Sequence, residues 1–332
     1  MKHSLARFCS AVALMLLSST AMAADKILIM VGGIEKQIYL PARLAEQLGY
    51  FREQGLEVEL QSEPSGVNAE NEMLAGAVQG VVGFYDHAID LQAKGKAVMS
   101  VVQFSQAPGE AILVSSKLVA EIKSPADFKG RALGVTGLGS STNFLTQYLA
   151  MAAGVKASEF TPVPVGAGTT FIAAMKQSRI DAGMTTEPTI SRLVSTGDAR
   201  ILVDLRTPES TEKWLGGLYP AACLYMPNAW VSSHREQVQK LANAFVKTLK
   251  YINTHSAEEI ALKMPADYYA GDKAGYIQAL AQSKTMFTAD GRMPVSGPPT
   301  VLKVLQGFNK AVQGKTIDLS KTFTTEFVTA AR

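Results

Sequence analysis

Apolar positions along the chain fall into short runs, separated by glycine turns and by stretches with helical spacing, and the order occurs twice. Ile27-Leu28-Ile29-Met30-Val31 reads as a buried strand. It is followed by Gly32-Gly33, a helix through Leu44 to Gly49, and a strand at Val58-Glu59-Leu60. Ala132-Leu133-Gly134-Val135 opens the same series: Gly137-Leu138-Gly139, a helix through Leu149 to Gly154, then a strand at Val163-Pro164-Val165. The offset stays at about 105 residues, and an internal repeat of this kind predicts two similar units.

Within the first unit, Leu40, Leu44 and Leu48 draw a helix over 39–50, with Pro41 in its first turn and Gly49 at its end. Further along come a helix over 68–77, a strand over 81–84, a short helix over 88–93 and a strand over 98–104. The second unit has a short helix opened by Ser124-Pro125, a helix over 141–153, one over 170–177, a strand over 182–185, a helix over 188–195 and a strand over 201–205. Here Gly76 matches Ser178, so the offset narrows to about 102, as a shortened loop allows. Alternating strands and helices predict parallel sheets covered on both faces, an α/β class. Two segments are candidates to pass between the units: Gln106-Ala107-Pro108-Gly109 leading into 111–114, and 220–225. After them, 235–254 reads as a long amphipathic helix with Val238, Leu241, Phe245, Leu249 and Ile252 on one face. Pro298-Pro299 starts another.

The N-terminus adds a compartment. Lys2 and Arg7 precede an apolar run over 11–17 that is too short to span a bilayer, and Ala21-Met22-Ala23 has the small-x-small pattern of a signal-peptidase site. Cleavage after Ala23 and export to the periplasm are expected. Cys9 precedes the apolar run and is not a lipoprotein cysteine. The mature chain then keeps one cysteine, Cys223, so no internal disulfide is expected, and its apolar surroundings make it a buried small hydrophobe. Loss of Lys2 and Arg7 takes the formal charge from +3 to +1, which gives no electrostatic case for nucleic acid.

In open α/β sheets, ligands sit off the carboxyl ends of the strands. Two turns occupy that place, one running through Gly33, Ile34 and Gln37 and the other through Ser140, Ser141 and Thr142. Each opens a helix, whose free N–H groups and dipole suit an anionic oxygen; simple N-capping uses the same groups. Tyr85, Asp86 and His87 follow the strand over 81–84 and offer a stacking face, an acceptor and a titratable donor. Glu187 is the repeat partner of Tyr85. Thr169 opens a helix after Gly166-Ala167-Gly168. No nucleophile elbow, dinucleotide fingerprint, phosphate loop or metal-spaced histidine pair is present, so no catalytic residue, cofactor or metal is expected.

These residues resemble a known family. Leu44-Ala45-Glu46-Gln47-Leu48-Gly49-Tyr50-Phe51 with Gly55-Leu56-Glu57-Val58, Asp127-Phe128-Lys129-Gly130-Arg131 before Gly134-Val135, Ser178-Arg179-Ile180-Asp181-Ala182, and Glu187-Pro188 are similar to segments of the periplasmic solute-binding proteins of ABC importers. The group is the one that includes nitrate, sulfonate, taurine and pyrimidine-precursor binders. The resemblance implies a two-lobe (type II) periplasmic binding protein fold: two doubly wound sheets joined by two crossing strands. Lobe 1 would take 24–108 and 226–332, and lobe 2 would take 109–225. It implies capture of a small organic solute, a sulfonate, a carboxylate including aromatic acids, or a similar anion, by hinge closure. The partners would be an ABC permease and its ATPase subunits, with the protein a monomer. The segments that the resemblance places at the cleft, Gly33 to Gln37, Tyr85 to His87, Ser140 to Thr142 and Glu187, hold no arginine, which departs from what a strongly anionic ligand predicts; Arg43 or Arg206 would have to supply one. The alternatives are a pyrimidine or thiamine-precursor binder and, less favoured, an enzyme like the fungal pyrimidine synthases, whose cysteine-rich motif this chain lacks.

Overall fold

The structure is a computed structural model that describes residues 26–269 and 271–331. The expected signal peptide, Cys9 and the cleavage site lie outside them. Among the described residues, ten strands form two mixed five-stranded sheets. The first contains β1 (Lys26–Val31), β2 (Glu57–Ser62), β3 (Gly80–Phe84), β4 (Val98–Gln103) and β10 (Ala222–Pro227), in the order β2-β1-β3-β10-β4. The second contains β5 (Glu110–Ser115), β6 (Ala132–Val135), β7 (Thr161–Pro164), β8 (Ala182–Thr186) and β9 (Ala199–Leu205), in the order β7-β6-β8-β5-β9.

The two orders are the same once β1–β4 are matched with β6–β9 and β10 with β5. Each sheet has four co-directional strands and one antiparallel strand at the same place. That antiparallel strand is the exchanged one: the chain leaves β4 to enter the second sheet as β5, and leaves β9 to return as β10. The doubling read from the sequence is therefore a doubling of sheets. The return strand falls on the far side of the expected boundary, because Ala222–Pro227 pairs with β3 and β4 rather than with the second sheet.

Helices cover both sheets. The first expected helix is split. A 3-10 turn at Gln37–Tyr39 precedes α1 (Leu40–Gln47), Gly49 takes φ 74°, and α2 (Tyr50–Glu53) restarts beyond it. Only glycine adopts that left-handed geometry without strain, so the break is written at this position. α3 (Gly66–Leu74) and α4 (Asp86–Ala93) complete the first unit. In the second, α5 (Ser141–Ala152), α6 (Thr169–Lys176) and α7 (Thr189–Ser195) follow β6, β7 and β8 as α1, α3 and α4 follow β1, β2 and β3. Sequence patterning passed over α8 (Pro208–Leu215), although Thr207 caps it and Pro208 opens it.

The C-terminal part adds α9 (Asn228–Ser233), α10 (Arg235–Thr254), α11 (Ala257–Ala261), α12 (Lys273–Ser283), α13 (Gly297–Phe308) and α14 (Glu326–Thr329). The apolar face of α10 is buried as expected. Phe245 meets the rings of Phe51 at 5.3 Å and Phe104 at 4.7 Å, pinning α10 over the first sheet. Each large side chain buried there contributes about 1.5–3 kcal/mol. α13 packs against both α4 and α5 and thereby touches helices of both units; the Phe308 ring lies tilted against Phe144 of α5, with centroids 5.6 Å apart. Cys223 is free and fully buried inside β10, where burial pushes its thiol far above the ordinary range. Among the described residues, no helix is long and apolar enough to cross a membrane.

Candidate functional site

The carboxyl ends of the parallel strands face each other across a seam. From the first sheet come the turn after β1 (32–39), the start of α3 and the turn after β3 (85–87). From the second come the turn after β6 (136–142), the start of α6 and the turn after β8 (186–189). Within the first unit the turn after β1 and the start of α3 approach so closely that glycine is required: a Cβ on Gly32 would lie 2.9 Å from the Gly66 Cα.

Hydrogen bonds cross the seam. Ser141 donates from its hydroxyl to Asp86 Oδ1 at 2.8 Å. The Val67 N–H donates to Ser140 Oγ at 3.4 Å, and the Gln37 N–H to the Glu187 carbonyl at 3.1 Å. Ser140 is the N-cap of α5, yet its side chain makes no capping bond and turns instead to the seam, where it accepts from Val67. Thr142 Oγ1 instead accepts the Thr136 N–H at 3.0 Å and meets the Thr136 hydroxyl at 2.9 Å, which holds the turn in shape.

Two charged residues from opposite sides line the same small cavity at the floor of this seam, Lys36 and Glu110, together with Tyr39, Ser141, Thr142 and Thr186. Lys36 is 4% exposed and donates to the carbonyls of Gly32 at 2.5 Å and Pro64 at 3.2 Å. Burial lowers its pKa, against the attraction of Glu35 and Glu110. Glu110 begins the crossing strand β5, is 2% exposed, and has an Oε2 with no partner. Burial first, and the neighbouring Asp86 second, push its carboxyl well above the usual range, while Lys36 opposes them. Asp86 is raised by burial too, although His87 and the hydroxyls of Ser141 and Tyr219 pull the other way; the Tyr219 hydroxyl donates to Oδ2 at 2.9 Å.

Behind the floor, His87 Nδ1 lies 3.0 Å from Glu70 Oε2 and 3.3 Å from the Tyr225 hydroxyl. Burial would lower its pKa, but Glu70, then Asp86 and Asp90, outweigh that and raise it to about 9. Among the described residues, no group of three or more His, Cys, Asp or Glu is placed to hold a metal ion.

Buried polar atoms are nearly always paired. Among the described residues eight such atoms are unpaired; six belong to residues in or beside the seam, Gln37 Oε1, His87 Nε2, Glu110 Oε2, Asn143 Nδ2 and the hydroxyls of Thr185 and Thr186, while Asn228 Oδ1 and the Tyr276 hydroxyl lie elsewhere. The floor cavity measures about 10 Å³, room for a single water. It leads by way of Lys36 to a cavity of about 270 Å³ lined by Thr169, Pro188, Arg192 and Tyr268. Past Pro188 and Arg192 lies a groove of about 530 Å³ between α7 and α12, lined by Arg206, Tyr269 and Tyr276.

The residues singled out from sequence divide into two groups. Gln37, Asp86, Ser140, Ser141 and Thr142 meet at the seam, and Gly33 and Ile34 lie in the turn that delivers Lys36. Thr169 lines the outer cavity. Tyr85 does not offer a stacking face. It is fully buried, its hydroxyl is 2.5 Å from Thr322 Oγ1, and its ring packs edge-on against Phe323, because Phe84 takes the place facing the cavity. Glu187 brings its carbonyl to the seam, but its carboxylate is committed to Arg206 at 2.6 Å and to the Ser191 N–H and hydroxyl at 2.9 Å each. Arg206 also pairs with Asp204 at 2.7 Å, and Arg43 with Glu46 and Tyr268, so neither arginine is free to meet a ligand at the floor. Lys36, Tyr39, Glu110, Thr136, Thr186 and Tyr219 were not singled out. For Glu110 the only trace in the sequence is its place directly before the apolar run over 111–114; the structure shows that it heads a strand whose six residues are all buried.

A family model described as NMT1/THI5 like matches residues 39–259. The chain belongs to this family. A solved protein from Bordetella bronchiseptica RB50 is 37% identical, covering 92% of this chain and 96% of that one with a TM-score of 0.88. The alkanesulfonate-binding protein SsuA from Xanthomonas axonopodis pv. citri, bound to MOPS, is 18% identical over 92% of this chain and 100% of its own, with a TM-score of 0.70. The periplasmic nitrate-binding protein NrtA from Synechocystis PCC 6803 is 14% identical over 92% and 88%, with a TM-score of 0.72. These likenesses establish the periplasmic binding protein fold for this NMT1/THI5-like chain. No curated protein matches its sequence.

Proposed function

We propose that this protein is the periplasmic substrate-binding component of an ABC importer, which closes two lobes on a small organic solute and delivers it to a membrane permease. In this reading residues 26–108 and 222–331 form one lobe and 109–221 the other, with the exchanged strands β5 and β10 as the hinge. The observation that carries it is the cluster of unpaired buried polar atoms at the seam, contributed by both sheets at the carboxyl ends of their strands. Glu110 and Thr186, without protein partners at the floor, are available to a solute. Lys36 and the uncapped start of α5 suit an acid group such as a sulfonate or carboxylate. Because the floor cavity admits one water, a solute enters with the lobes apart, and bonds such as Ser141 to Asp86 form on closure.

A thermal-shift screen of organic sulfonates, carboxylates and aromatic acids tests the reading. Binding to the native state alone raises the melting temperature. A panel in which no solute stabilises the protein overturns it. Mass spectrometry of the recovered solute should find it chemically unchanged; a product would put an enzyme in its place.

A further inference from the structure

The geometry points to Glu110 as the residue that selects the solute, and to a solute that is an organic zwitterion: an acid group held by Lys36 and the start of α5, and an ammonium group held by Glu110. It rests on the solute-binding reading above and narrows it.

A simple anion fits this floor poorly. The floor cavity is lined by the carboxyl of Glu110, and a second fully buried carboxyl, Asp86, is near enough to repel it. Asp86 already accepts two hydroxyl bonds, from Ser141 and Tyr219. Glu110 Oε2 accepts none, and the hydroxyl of Thr186, its direct cross-strand partner, is also unpaired. Those two residues share a β-ladder position and line the same cavity, so one group placed there reaches both. Both atoms can accept, and the carboxylate once ionised can only accept, so the complement of the ionised form is a donor. A cation is also the partner that lets a buried carboxyl ionise, offsetting the burial and the Asp86 repulsion that hold it protonated. Lys36 leaves the opposite wall positive. A donor at one end and an acid at the other describe a zwitterion.

The experiment compares matched probes that differ only in an amine: β-alanine with propionate, homotaurine with propanesulfonate, and aminomethylbenzoate with methylbenzoate. Thermal shift and calorimetry are run on the wild-type protein and on Glu110→Gln, whose folding is checked by circular dichroism. The expected result is that in at least one pair the amine-bearing member binds wild type at least tenfold more tightly, and that Glu110→Gln removes that preference. Wild type alone decides the matter if the variant fails to fold. Equal or tighter binding of the amine-free members overturns the inference and leaves the solute-binding reading standing. A preference for the amine that survives in folded Glu110→Gln overturns the role of Glu110. Binding of none of these probes, or of any sulfonate or carboxylate in the wider screen, overturns both.

Discussion

The floor of the seam and its rim contain the same kinds of side chain, yet they are wired in opposite ways. At the rim, Glu187, Arg206 and Asp204 form a network in which charges meet opposite charges: Arg206 bonds Glu187 through Nη1 and Asp204 through Nε and Nη2, and Ser191 fills the rest of the Glu187 carboxylate. Burial works against the Arg206 charge, but Asp204 and Glu187 outweigh it and raise its pKa. At the floor, Lys36 donates only to main-chain carbonyls, and Glu110 has an oxygen with no partner. A network that completes itself holds structure in place; one that leaves polar atoms unpaired inside the protein is shaped for something else to complete it.

That contrast is open to direct attack. The largest effect is expected at the rim. Arg206→Met leaves the buried Glu187 carboxylate without its cation, and breaking a buried pair of this kind should cost about 3 kcal/mol of stability, read by urea denaturation. Solute affinity should change by less than about twofold if the network is purely structural. A stable variant that has lost affinity would make the rim part of the binding site. At the floor the pattern should reverse. Lys36→Met removes a buried cation whose bonds go only to main-chain carbonyls; relief of its burial offsets the two lost bonds, so stability should change by no more than about 1 kcal/mol, while loss of a charge-assisted bond of about 1.5–3 kcal/mol weakens binding of the amine-bearing probes by tenfold or more. Unchanged affinity would show that the acid group of the solute is read elsewhere.

The sequence carried the repeat, the crossing segments and the long C-terminal helix because all three rest on local patterns. Glycines at equal spacing mark equivalent turns, and an apolar stripe over five turns specifies α10 wherever it docks. The turns at Gln37 and Ser141 were legible for the same reason, since the strand–turn–helix order fixes where they lie. Glu110 and Tyr85 show where that stops. Tyr85 and Glu187 do occupy equivalent places, but which way each side chain turns is decided by packing, and Thr322, which receives the Tyr85 hydroxyl, is more than two hundred residues away in the chain. Glu110 acquires its place only when β5 pairs with β8 in a register that sets it opposite Thr186. The apolar run beginning at Ala111 hid it, because a turn before a strand is an ordinary place for a carboxylate.

A smaller effect should follow pH. His87 titrates at about 9 in the folded protein, above its ordinary 6.5, so protonation favours the native state. Its contribution is complete below pH 6.5 and is lost as pH rises through 9. Glu110 and Asp86, also raised, act with the same sign from lower pH, whereas Lys36, lowered, acts with the opposite sign once it begins to deprotonate. Stability from pH 6.5 to 9 should therefore fall, at a slope on the order of 1 kcal/mol per pH unit, and His87→Gln should flatten it. A slope unchanged in that variant would assign the effect to the carboxyls of the floor.

The smallest expected effect tests whether nearness to the seam is enough to make a residue part of the site. Tyr85 follows a strand that ends at the seam, directly before Asp86, and on position alone it belongs with the floor. Its wiring belongs with the structural group: the hydroxyl is paired with Thr322, and the ring lies against Phe323 with no exposed surface. Tyr85→Phe removes one hydroxyl and strands the Thr322 partner only partly, since Thr322 also donates to the Leu319 carbonyl at 2.7 Å. The cost should be about 1 kcal/mol in denaturation, with affinity for the probes unchanged. Should Tyr85→Phe instead keep its stability and lose affinity, pairing would no longer separate binding residues from structural ones. The assignment of Glu110 would then have to stand on the matched-probe comparison alone.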